Sequence, residues 1–494
     1  MSGSTSVAST GIGGLDDILG GGLARRRLFL VEGVPGSGKT TLALQYLRAG
    51  VEAGEAVLYV TLSETEEELH SIAESHGWQL KGIEIRELAP AEGALDPDEQ
   101  NTMFHPSELE LAATTRPILD HIERLKTARV VFDSLSELRL LAGHPFRYRR
   151  QILALKRFLA TRDCTVILLD DLTAVERDLQ VQSIAHGVIL LDQLNPDFGA
   201  ERRRLRVVKY RGVKFRGGYH DYVINRGGIE VFPRLVAAEH RQPTTHAKLP
   251  SDIPELDSLL GGGLEQGTST LIVGAAGTGK STLAAQFATA AACRGQHAAL
   301  FVFDESPDTL ITRCGQLEVD LGSALEKGTV SLQQVDPAEL TPGELTQAIR
   351  SAVEQRDAKV VVLDSLNGFL NAMPEERHLT LHLHELLMYL GQKGVATILV
   401  AAHQGLVGNQ MVTPVDASYL ADAVILLRYF EDRGEVRQAV SVMKKRGSRH
   451  ERTLREFRLD GGRISVGAIL REFRGVLTGV PFYEGSLSEA KDDA

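Results

Sequence analysis

The chain is written twice. Residues 14–23 read GLDDILGGGL and residues 255–264 read ELDSLLGGGL, an offset of 255 − 14 = 241. At that offset Gly33-Val34-Pro35-Gly36-Ser37-Gly38-Lys39-Thr40 meets Gly274-Ala275-Ala276-Gly277-Thr278-Gly279-Lys280-Ser281. At slightly smaller offsets VVFDSL (130–135) meets VVLDSL (361–366), and Lys209-Tyr210-Arg211-Gly212 meets Lys444-Lys445-Arg446-Gly447. Self-similarity on this scale means tandem copies of one domain. The expected division is 1–235 and 253–480, joined by the Pro- and polar-rich stretch 236–252 and followed by a short solvated tail, 481–494.

Each copy alternates apolar strands with helical segments. In the first, LFLVEG (28–33), AVLYVTL (56–62), ARVVFDSL (128–135) and CTVILLDD (164–171) read as buried strands. TTLALQYLRAGVEAG (40–54) between the first two reads as a helix. Continuous apolar strands separated by helices predict an α/β fold with a mainly parallel sheet. Later segments alternate instead: VILLDQL, RRRLRVVKYRG and DYVINRGGIEVF, repeated as AVILLRYF, RQAVSVMKKRG and REFRLDGGRISV. These predict antiparallel strands added at one edge.

The glycine-rich loops carry the clearest chemistry. GxxxxGK[ST] follows a strand and opens a helix in both copies, the context a phosphate-binding loop requires. Gly33, Gly36 and Gly38, with Gly274, Gly277 and Gly279, let backbone N–H groups wrap phosphates at a helix N-terminus. Ser37 and Thr278 sit inside the loops. Lys39 and Lys280 are placed to reach β- and γ-phosphates, and Thr40 and Ser281, followed by Thr41 and Thr282, to ligate Mg²⁺. Asp133 and Asp364 close apolar strands, where an acid holds Mg²⁺. The nucleotide expected is therefore ATP with Mg²⁺.

A further acid lies 25 residues after each loop lysine: Glu64 in SET and Glu305 in DES. A carboxylate there can orient or deprotonate an attacking water or hydroxyl. It can also be an ordinary acid favoured at a helix start. Lys209/Arg211 and Lys444/Arg446 lie far along the chain from their own loops. They fit cations that a neighbouring subunit supplies to a γ-phosphate, or a solvated basic turn. His403-Gln404 is a candidate γ-phosphate sensor. The clusters Arg25–Arg27, Arg147–Arg150 and Arg202–Arg204 read better as solvated faces than as a nucleic-acid path.

Charge supports that choice. Acids outnumber bases 65 to 54, and a net charge of −11 opposes sequence-independent nucleic-acid binding over the whole surface. No apolar run approaches the ~18 residues of a membrane span. MSGSTSVASTGIGG has no basic run before an apolar core, so no signal peptide is expected and the compartment reads as cytoplasm. Cys164, Cys293 and Cys314 form no CxxC pair, which predicts small buried apolar residues rather than disulfides or zinc ligands.

Together with RGSRHERTLREF (446–457) and the GGGL lead-ins, these motifs resemble the KaiC proteins over residues 10–480. The resemblance implies two RecA-like P-loop domains. It also implies a homohexamer of two stacked rings with ATP between subunits, an ATPase first ring, and a second ring that phosphorylates itself. The family's adjacent phosphoacceptors fall on Ser418 and Tyr419, with Thr413 nearby, and its paired glutamates on Ser63-Glu64 and Asp304-Glu305. Asp304 then carries the catalytic position of the second ring. Ser63 cannot act as a base, which either shifts that role to Glu64 or leaves this ring chiefly to bind ATP. Tyr419 projects further than a small hydroxyl, which favours Ser418. A KaiB-like protein or a signalling kinase fits as partner, whereas the short tail speaks against regulation by KaiA. Three functions compete: an ATPase with serine autokinase activity, an ATP-gated hexameric scaffold, and, against the charge balance, a DNA motor.

Overall fold

A computed structural model describes residues 6–88, 118–142, 144–172, 179–195, 199–240, 247–371, 379–402, 417–476 and 482–483. The chain divides into two compact units, Met1–Arg234 and Leu235–Ala494.

The first unit is built on a nine-stranded sheet. From one edge the strands are Gly228–Phe232, His220–Asn225, Arg202–Tyr210, Gly187–Leu194, Leu28–Gly33, Thr165–Asp171, Arg129–Asp133, Val57–Thr61 and Ile83–Glu87. The strands from Gly187–Leu194 to Ile83–Glu87 run parallel, and the three before them antiparallel. The second unit repeats the plan, with Ser269–Gly274 central between Ala396–Ala402 and Ala423–Asp432, and Glu435–Lys445, Arg455–Asp460 and Arg463–Ile469 antiparallel. Strands such as Leu28–Gly33 and Ser269–Gly274 are buried throughout because apolar layers cover both faces of each sheet. These are two RecA-like domains in tandem.

One expectation needs correction. Gly187–Leu194 and Ala423–Asp432, which carry VILLDQL and AVILLRYF, are parallel to the central strands, not antiparallel. Their first halves are buried on both faces, and only the polar ends suggest alternation. Cys293 also departs from expectation: Cys164 and Cys314 are buried, but Cys293 is exposed near the end of its helix.

The sheet register fixes which ends of the sheets carry function. Gly33, where the phosphate loop begins, is level with Leu191, whereas Phe29 is level with Gly187 and Gly187 with Tyr210. The Lys209–Arg211 turn therefore lies at the opposite end of the sheet from its own loop. At about 3.3 Å per residue, four residues of strand separate the two levels by roughly 13 Å. The second unit matches: Gly274 is level with Leu427, and Thr270 with Ala423, which pairs with Lys445.

Arg129 anchors the first unit from inside. Its side chain is buried beneath the loop helix Lys39–Glu52. Nε donates to Glu55 at 2.5 Å, and Nη1 donates to the carbonyls of Ser9 and Tyr46 at 2.7 and 2.8 Å. Gly50 leaves it room: a Cβ there would stand 2.7 Å from Arg129 Cδ. Arg129→Met strands the buried Tyr46 carbonyl, releases the Ser9 carbonyl and breaks the largely buried pair with Glu55, a loss of about 3 kcal/mol. The first-unit melting transition is expected to drop by about 10 °C in a calorimetric scan; an unchanged transition would show the network to be dispensable.

Candidate functional site

Both phosphate loops sit at the C-terminal ends of the central strands. Gly33 and Gly274 end those strands, and the helices Lys39–Glu52 and Lys280–Cys293 follow. Gly36 and Gly38 have φ of 80° and 88°, and Gly277 and Gly279 of 79° and 90°. Only glycine adopts that backbone freely, and it is what turns successive N–H groups inward. Ser37 is buried with its Oγ unpartnered, while Thr278 donates to the Ala275 carbonyl at 2.9 Å. Thr41 and Thr282 are buried on the first helical turns.

The hydroxyls that follow the loop lysines lie beside the strand-end acids. Thr40 Oγ1 donates to Asp133 Oδ2 at 3.2 Å, and Ser281 hydrogen-bonds Asp364. Burial raises the pKa of both aspartates, Asp364 to about 6. The peptide bonds that follow, Asp133–Ser134 and Asp364–Ser365, are both cis. Tyr59 adds a hydrogen bond to Asp133 Oδ2 at 2.5 Å, a contact absent from the sequence-based reading. Mg²⁺ prefers one or two protein oxygens together with phosphates and water. A hydroxyl beside a carboxylate at each loop fits that demand. Among the described residues no cluster of three or more His, Cys, Asp or Glu could hold a metal.

The acids after the second strands differ between units. In the first, the helix Glu66–Ser75 is capped by Thr65 with Glu68, so Glu64 is not needed for capping. The turn holding Glu64 is pinned by Thr61, whose Oγ1 donates to the Glu64 carbonyl at 2.7 Å. Glu64 Oε2 is buried and unpartnered. Burial, then the charge of Asp133, pushes its pKa up to about 7. In the second unit Glu305 is held by Arg313 in a two-pronged ion pair at 2.7 and 2.9 Å. Asp304 accepts a hydrogen bond from Ser365 Oγ. Arg313 lies eight residues after Glu305, on the helix that follows it; the equivalent place in the first unit is Ile72, packed on the core.

The late cations bind backbone at the far end of each sheet. Lys209 Nζ donates to Gln182 O at 2.5 Å and Arg211 to Ser183 O at 2.6 Å. Lys444 donates to Ser418 O at 2.8 Å and Ala421 O at 2.7 Å, and Arg446 to Tyr419 O at 3.1 Å. Ser418 and Tyr419, both exposed, therefore sit beside the second Lys-x-Arg turn and away from their own loop. His403, Gln404 and Thr413 lie outside the described residues.

Sequence reasoning missed Asp171. It ends the strand beside Gly33, and its carboxylate stands 2.7 Å from Lys39 Nζ. Its only trace was the doubled acid closing TVILLDD.

Two RecA-like domains, each with a phosphate loop and a strand-end aspartate, define a tandem P-loop ATPase. A family model described as "ATPase: KaiC" matches residues 8–236 and 249–471. The circadian clock protein KaiC3 of Synechocystis is 26% identical over 96% of this chain and 94% of its own. The circadian clock oscillator proteins KaiC of Picosynechococcus and of Thermostichus vulcanus are each 28% identical over 95% and 96% of this chain and 91% of theirs. The chain belongs to the KaiC ATPase family.

Proposed function

We propose that the protein is a ring-forming Mg·ATPase whose active sites are each completed by a neighbouring copy, with serine autophosphorylation in the second ring. The observation that carries this reading is the sheet register. Each phosphate loop and its Lys-x-Arg turn occupy opposite ends of one sheet, so a loop can meet such cations only from another domain, which this reading takes to be the matching domain of a neighbouring copy. A head-to-tail interface closes into a ring where its rotation allows, and the resemblance to the KaiC proteins makes that ring a homohexamer.

In the first ring Lys39 and the loop N–H groups hold the phosphates. Mg²⁺, held by Thr40 and Asp133, would offset their charge. Glu64 takes a proton from the attacking water as its oxygen bonds to the γ-phosphorus. The bond from that phosphorus to the β–γ bridging oxygen breaks, and ADP and phosphate leave. Lys209 and Arg211 of the neighbour neutralise the charge on the transferring group. In the second ring Lys280, Ser281 and Asp364 take the corresponding places. Asp304 accepts the proton of the Ser418 hydroxyl from a neighbouring copy as the serine oxygen bonds to the γ-phosphorus, the bond from that phosphorus to the β–γ bridging oxygen breaks and ADP leaves; Tyr419 is the secondary phosphoacceptor.

The test is peptide-mapped mass spectrometry after incubation with Mg·ATP. Phosphate on Ser418, absent in Lys280→Ala, is the expected result. ATP hydrolysis without any phosphate would favour a second reading, an ATP-gated scaffold that recruits a signalling partner. The Arg313–Glu305 pair speaks for that alternative, because it withdraws one of the two acids from the second site. A DNA motor has no such support, given the charge of −11. No described helix is long and apolar enough to cross a membrane.

A further inference from the structure

The two phosphate loops differ in what holds their lysine. Lys39 Nζ donates to the Gly33 and Val34 carbonyls, each at 3.0 Å, and faces Asp171 Oδ1 at 2.7 Å. An ammonium has three donors, so the chain itself accounts for all of them. The third partner is an anion, as a phosphate would be. Lys39 is nearly buried and Asp171 is 29% exposed, so the pair is only partly screened by water. In the second unit the sheet register puts Ala402 at the corresponding place: Gly33 is level with Asp171, and Gly274 with Ala402. Alanine has no carboxylate to offer. Lys280 Nζ donates to the Ala275 carbonyl at 2.8 Å.

We propose that Asp171 is an internal anion that competes with nucleotide phosphates for Lys39, weakening nucleotide binding at the first site and speeding its release. The inference rests on the reading of both loops as ATP sites. A phosphate that engages Lys39 takes the place of one of its three partners, and the like-charged carboxylate is the one it opposes; the carboxylate recaptures the lysine as the nucleotide leaves. Binding is weakened by the differential, and the release step is assisted. The opposite role is equally concrete: Asp171 could hold Lys39 in its working pose, in which case removing it would loosen the nucleotide. The two roles differ in sign.

The experiment uses the full chain with Lys280→Ala to silence the second loop, and ADP as the probe, with affinity and release rate measured together. Asp171→Ala is expected to tighten ADP by about tenfold, mostly through slower release. Asp171→Asn keeps the size and a hydrogen-bond acceptor but not the charge, and is expected to tighten it by a smaller factor. The reciprocal change, Ala402→Asp in a Lys39→Ala chain, is expected to weaken ADP at the second loop and speed its release. Unchanged or weaker ADP binding in both Asp171 variants would overturn the competition and assign Asp171 to positioning. Absence of ADP binding in the Lys280→Ala parent would overturn the nucleotide reading itself, and the inference with it.

Discussion

Neither Lys39→Ala nor the double variant Lys209→Ala/Arg211→Ala is expected to hydrolyse ATP in the first ring, yet an equal mixture of the two should recover about a quarter of the wild-type rate, since random assembly pairs an intact loop with an intact turn at one interface in four. The second loop is silenced by Lys280→Ala in every chain, so only the first ring is read. The size of the loss follows from the role: a cation supplied across an interface to a transferring phosphoryl group contributes about 10³–10⁵ in rate. The direction follows from geometry, because Lys209 and Arg211 lie roughly 13 Å of strand away from their own loop level. A turn acting within its own subunit would leave the mixture as inactive as its parts. Full activity of the double variant alone would make the turn a solvated surface whose bonds to Gln182 and Ser183 are merely structural.

Glu64→Gln should lower first-ring hydrolysis by about 10²–10⁴-fold and at the same time stabilise the protein. The fold holds the Glu64 carboxyl at about 7 against an ordinary 4.5, chiefly by burial. The raised value means that the folded state favours the protonated acid. That contribution is complete below the ordinary value and is lost as pH climbs towards 7, so at pH 8 the protein carries an unfavourable buried charge. Glutamine removes it. The gain is on the order of 1 kcal/mol once the carboxyl's partial exposure is allowed for. The same group shapes the pH profile. In a Lys280→Ala chain the rate should rise with pH up to about 7 and then level off, and the Glu64→Gln variant should lose that rise. Equal rates for the two chains at pH 8 would remove Glu64 from the chemistry. A lower melting temperature in the glutamine variant would contradict the electrostatic account while leaving the catalytic one standing.

Much of this was legible in the residues because the repeat supplied its own control. A loop such as Gly33–Thr40 has a clear meaning once it recurs at Gly274–Ser281 in the same setting. Parallel strands announced themselves by unbroken apolar runs. The strands Gly187–Leu194 and Ala423–Asp432 misled because polar residues near their ends, such as Asp192 and Gln193, imitate alternation, while direction depends on a crossover that no local pattern encodes. The partners of the acids were illegible for a related reason. Tyr59 reaches Asp133 from the adjacent strand, Asp171 reaches Lys39 from the strand beside the loop, and Ser365 reaches Asp304 just past the ends of two paired strands, proximities that sequence separation hides. Arg313 was closer to view, eight residues after Glu305 on the helix that follows it, but spacing alone did not distinguish it from a solvated arginine. Glu64 and Glu305 thus looked equivalent in sequence and are not: one is unpartnered, the other held by a guanidinium.

Placing the loop at one end of a sheet and the Lys-x-Arg turn at the other gives every copy a direction. Under the proposed assembly each copy lends cations forward and borrows them from behind. A linear stack of such copies always ends with one loop that has no neighbour to serve it. Closure is the arrangement that leaves no loop unserved. Activity would then report on completion of the circle, falling off sharply on dilution, and a copy with a defective turn would silence its neighbour's loop and leave its own working.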